Sequence, residues 1–129
     1  MSSVKKTASA EDQQQINKFA RLHKNFLELK NELSVLNNET QNLGDADDEI
    51  MLLDDEDAAS IPLQIGSIFV HYNQETASTK IEEAKVKATK RIAELKLRQT
   101  QLDNELKELR AILYAKFGDN IHLEMEAED

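Results

Sequence analysis

A chain of 129 residues with a formal charge of −9, four Phe, two Tyr and no Trp suits one small domain but lacks the aromatic bulk of a compact core. It has no cysteine, which excludes disulfides and thiolate metal sites and permits a reducing compartment. No apolar run approaches the roughly 20 residues of a membrane span, "MSSVKKTASA" lacks the apolar block of a secretory signal, and Lys and Arg alternate with Glu instead of forming a basic stripe. These features point to a cytosolic protein without membrane or nucleic-acid partners, with any nuclear role left open.

Three Gly and one Pro are too few for a loop-rich or all-β chain, so helix should dominate. Residues 1–9 read as a disordered tail. Ser9 followed by Asp12 resembles a capping box with Asp in place of Glu, which starts a helix near residue 10. From Phe19 onward apolar residues step by three and four through Leu22, Phe26, Leu29, Leu33 and Leu36. The steps continue through Thr40 and Leu43 to Ile50, with one acidic interruption at Asp47. A period of 3.5 residues marks a coiled-coil seam, and the first helix is expected over 10–53. Asn37, Asn38 and Gly44 weaken its second half.

An acidic connector over 54–60 leads into "IPLQIGSIFVHY", expected as a β-hairpin over 61–72. A two-residue turn at Gly66 and Ser67 sets Ile65 opposite Ile68, Leu63 opposite Val70 and Ile61 opposite Tyr72, all six on one face. The other face carries Pro62, Gln64, Phe69 and His71, and Pro62 belongs at a strand start or an edge. A lone hairpin is marginal in water, and two paired helices are expected to offer no further layer to cover its apolar face. Assembly with strands of other chains, closed as a barrel, would protect both face and edges.

The second helix is expected over 73–117, with Asn73 as N-cap and Gly118 closing it. Ile81, Ala88, Leu95, Leu102 and Leu109 fill one seam position. Lys85, Ile92, Gln99, Leu106 and Leu113 fill the other, where the two polar residues either set register or pairing specificity or are tolerated imperfections. Helices of matching length should pair antiparallel within one chain. The fold class is therefore mainly α, an antiparallel two-helix coiled coil with one short hairpin between the helices. Its start (Ile16, Phe19) and its end (Leu113, Tyr114, Phe117), with Ile121 and Leu123 of the acidic tail over 118–129, would lie together at a free end where apolar side chains become available to another molecule.

Three segments, "EDQQQINKFARL" at 11–22, "IPLQIGSIFV" at 61–70 and "LYAKFGDNIHLE" at 113–124, resemble the β-type subunits of the prefoldin family, and the likeness runs from about residue 11 to 124. The resemblance implies one hairpin between two helices, within a heterohexamer of two α-type and four β-type subunits whose hairpins form a β-barrel platform. It further implies an ATP-independent chaperone that holds unfolded actin, tubulin and other clients at the coiled-coil tips and passes them to the cytosolic chaperonin. By position it assigns Ile61, Leu63, Ile65, Ile68, Val70 and Tyr72 to assembly, and Ile16, Phe19, Leu113, Tyr114 and Phe117 to the client-binding tip. A structural coiled-coil adaptor indifferent to unfolded chains is the competing reading.

Other chemistries fit poorly. Asp45, Asp47, Glu49 and Glu56 fall at positions 1, 3, 5 and 12 of an EF-hand-like frame, but Ile50 stands where the sharp turn needs Gly. A solvated charge run explains them. His23, His71 and His122 form no ligand-spaced pair, and paired helices enclose no pocket to orient a nucleophile and its base. Neither an enzyme nor a cofactor is expected.

Overall fold

The computed structural model describes residues 10–118. Ser9 and the tail residues Ile121, His122 and Leu123 lie outside them. In chain order the elements are helix α1 (Ala10–Met51), the four-residue helix α2 (Asp55–Ala58), strands β1 (Ile61–Ile65) and β2 (Ile68–Tyr72), and helix α3 (Gln74–Phe117). Among the described residues, no helix is long and apolar enough to cross a membrane. The chain divides into two compact units, one of residues up to Glu32 with those from Leu95 onward, the other of Leu33–Glu94.

In the first unit the seam is a row of buried leucines. Leu22 and Leu29 on α1 and Leu95, Leu102, Leu106 and Leu109 on α3 are all buried, as the 3.5-residue period requires when two helices share one apolar face. Asp12, near the start of α1, meets Lys116, near the end of α3, so the helices run antiparallel. Their charges suit the helix dipoles, with Glu11 and Asp12 in the first turn of α1 and Lys116 in the last turn of α3. Outward-facing charges pair along their own helix. Arg91–Glu94 at 3.6 Å and Lys107–Asp103 at 3.0 Å, one in each unit, are such pairs, each contributing a few tenths of a kcal/mol.

In the second unit α1 and α3 are again antiparallel, since Ser78 Oγ donates to Asp47 Oδ1 at 2.7 Å and Gln74 Nε2 donates to the Ile50 carbonyl at 2.7 Å. Asn73 caps α3 by accepting from the Thr76 amide at 2.8 Å. The hairpin register pairs Ile61 with Tyr72, Leu63 with Val70 and Ile65 with Ile68. Its turn relies on Gly66, whose φ of 63° lies in the left-handed region. A Cβ added there would meet nothing within 4 Å, so the conformation alone resists a side chain. Gly66→Ala should destabilise the hairpin by about 1–2 kcal/mol, read as faster amide exchange in 61–72 with 95–113 unchanged.

Two expectations are corrected. The first helix stops at Met51 instead of continuing to residue 53. The next residues form a tight turn, with Leu52 and Leu53 amides donating to the carbonyls of Glu49 and Ile50 at 3.1 and 3.2 Å. The connector then forms α2, because the Asp54 carboxylate accepts from the Asp57 amide at 2.9 Å. More consequentially, the helices do offer the hairpin a layer. Ile61 is buried in a core with Ile50, Ala77 and Ile81, and Leu63, Tyr72, Leu43 and Ala46 pack partly against it. The small side chain of Ala77, fully buried, lets the strand approach α3. Lys80 also lies 5.8 Å from the centroid of the Tyr72 ring, a cation–π contact between the hairpin and the helix that follows it.

Candidate functional site

The candidate residues fall in two apolar sets, one in each unit. In the Leu33–Glu94 unit the hairpin is buried at its base and bare at its turn. Ile61 is in the core and Leu63, Val70 and Tyr72 are half-buried, whereas Ile65 and Ile68 are 50% and 61% exposed, and Phe69 on the opposite face is exposed too. Of the six residues assigned to assembly, Ile61 is thus occupied within its own chain, and Ile65 and Ile68 are the ones another strand can reach. Beside them an apolar concavity of about 370 Å³ is lined by Leu43, Ala46, Leu63, Ile65, Tyr72 and Ile81. Gln64 Nε2 donates to the Gly66 carbonyl at 3.2 Å and Ser60 Oγ shares a hydrogen bond of 3.1 Å with His71 Nδ1, so polar side chains stiffen the face that does not carry the isoleucines.

In the other unit the residues assigned to the tip separate into two sets. Phe19 and Leu113 are 4% and 0% exposed. These two are seam residues, covered where the helices pair at this end. Tyr114 is 37% exposed, as is neighbouring Ile112 at 42%, while Ile16 and Phe117 are half-buried. Phe19 also stacks on His23 with ring centroids 6.1 Å apart and planes 13° from parallel.

Sequence reasoning missed the polar closure of this end. Lys116 Nζ donates to Asp12 Oδ1 at 2.6 Å. One heptad before Phe19 falls Asp12, and one heptad after Leu109 falls Lys116, so extending each seam by seven residues lands on opposite charges. Asp12 is buried although charged, which is tolerable because it is paired. The hydrogen bond to Asp12 holds the Lys116 ammonium above its ordinary value of 10.5, with the charges of Asp12 and Glu11 adding and desolvation opposing. Since the folded chain binds this proton more tightly than the unfolded one, the Lys116 contribution is fully present below 10.5 so long as Asp12 is ionised, and it disappears as pH rises through the raised value. The gap in thermal midpoint between wild type and Lys116→Met, open at neutral pH, should therefore narrow above pH 10.5 and close once pH passes the raised value.

The remaining candidates have structural explanations. Asp45, Asp47 and Glu49 lie on continuous helix α1, so they cannot wrap an ion as a calcium loop does. Among the described residues, no group of three His, Asp or Glu is arranged to hold a metal.

The family model "Prefoldin subunit" matches residues 13–120. Human prefoldin subunit 4 is 47% identical over 116 residues, covering 90% of this chain and 86% of the relative. Prefoldin subunit 4 of Saccharomyces cerevisiae is 36% identical over 114 residues, covering 88% and 87%. The crystal structure of the prefoldin beta subunit from Thermococcus strain KS-1 superposes with a TM-score of 0.70 at 19% identity, covering 87% of this chain and 96% of that one, a likeness of fold. This chain belongs to the prefoldin family, as a β-type subunit of the subunit 4 kind, non-enzymatic and with other prefoldin subunits as its implied partners.

Proposed function

We propose that this chain is one arm of an ATP-independent holdase. It joins the other prefoldin subunits through the bare turn end of its hairpin and holds non-native polypeptides, actin and tubulin among them, at the paired ends of α1 and α3. From there clients pass to the cytosolic chaperonin. The observation that carries this reading is that each unit exposes apolar side chains of its own, Ile65 and Ile68 in one and Ile112, Tyr114 and half-buried Phe117 in the other. One suits a permanent contact with neighbouring strands. The other suits weak, adaptable contacts multiplied over several arms, which retain a chain without reading its sequence and release it one arm at a time.

A complex reconstituted with this chain should suppress aggregation of denatured actin, and Ile16→Ser, Tyr114→Ser and Phe117→Ser together should weaken that protection without altering subunit stoichiometry. Equal protection by both complexes would favour a structural adaptor.

A further inference from the structure

Phe19 and Leu113 are buried when the helix ends are closed, so a client reaches them only if those ends part. Apolar burial and the Asp12–Lys116 pair hold the ends shut, because parting them breaks that charge-assisted hydrogen bond and exposes Phe19 and Leu113 to water. Opposing features sit on the same stretch of α1. Gln15 Oε1 and His23 Nε2 are buried without hydrogen-bond partners, and each carries a desolvation cost that opening relieves. Gln15 also lies one heptad before Leu22. Among the described residues the seam therefore ends in polar side chains, Asp12 and Gln15 on α1 and Lys116 on α3, beyond the buried leucines of this unit.

We propose that Asp12 and Lys116 form a clasp that sets how often the helix ends open, with Gln15 and His23 biasing it toward opening, and that clasp release admits a non-native chain to Phe19 and Leu113. The proposal rests on the client-holding reading above. It makes access a property of four polar side chains that need not touch the client in the closed state. An apolar layer in their place would give a tighter end and a poorer trap, since the energy spent in exposing Phe19 would rise.

The two directions of the balance supply the test, made on the full reconstituted complex. Asp12→Asn and Lys116→Gln should each accelerate amide exchange in 10–22 and 106–117 by roughly three- to tenfold, and the double variant should fall short of the product of the two. Gln15→Met, close to isosteric and without the unpaired oxygen, should slow exchange there by a factor of roughly two or more. Capture of denatured actin should follow the same order, fastest for the clasp variants and slowest for Gln15→Met. Unchanged exchange in the clasp variants, or faster exchange in Gln15→Met, would overturn the clasp even if the tip serine variants still lose protection. If exchange responds as expected but the tip serine variants protect as well as wild type, the client-holding reading itself is at fault and the link from clasp to capture falls with it.

Discussion

Lysine at both Ile65 and Ile68 should remove this chain from the prefoldin complex while leaving its helix content unchanged. Both side chains are half or more exposed in the isolated chain, so a charge there is solvated and the fold tolerates it. In the proposed assembly neighbouring strands cover the same atoms. The variant then loses part of about 1.5–3 kcal/mol of apolar burial per side chain and sets an unpaired ammonium where water is excluded. A combined loss of about 4 kcal/mol or more weakens incorporation roughly a thousandfold. Native mass measurement of the co-expressed subunits and circular dichroism of the purified chain read the two effects separately.

The contrast with Ile61→Lys makes this result specific. Ile61 is buried among Ile50, Ala77 and Ile81, so a charge there should undock the hairpin in the chain by itself, before any partner is met. Full incorporation of the Ile65 and Ile68 variant would show that the turn end is not the assembly surface.

The difference between these isoleucines shows where sequence was informative. Period-two alternation, with Gly66 as the residue able to turn at φ 63°, is enough to set Ile61 opposite Tyr72 and Ile65 opposite Ile68, because register depends on neighbours in the chain. Whether the face so defined is covered depends on helix ends from residues 43–50 and 77–81, and no local pattern contains that. The heptads behaved similarly. Leu95, Leu102 and Leu109 could be placed in the seam from spacing alone, whereas the contact of Asp12 with Lys116 joins residues 104 positions apart. Charges at seam positions were readable there as interruptions of the pattern but not as partners. For α2 the signal was local, Asp54 three residues before Asp57, but it lay inside an acidic run whose composition reads as solvated loop.

Leu102→Ala tests the intrachain pairing on which both surfaces depend. Leu102 is almost fully buried, and Leu106 and Leu113 with it. Truncation removes its transfer energy and leaves a gap that two helices close only in part. Water reaches the side of a helix pair more readily than the middle of a globular core, so the cost should lie toward the lower end of the usual range, about 2–3 kcal/mol. For a chain this small that corresponds to a fall of roughly 10 °C in thermal midpoint. Leu97, on the same helix but mostly exposed, is the control, and its replacement by alanine should change stability by less than about 0.5 kcal/mol. Concentration then decides between pairing modes. With α1 and α3 of one chain in contact, the midpoints of wild type and Leu102→Ala are independent of protein concentration, whereas helices borrowed from a second chain would make both rise with it.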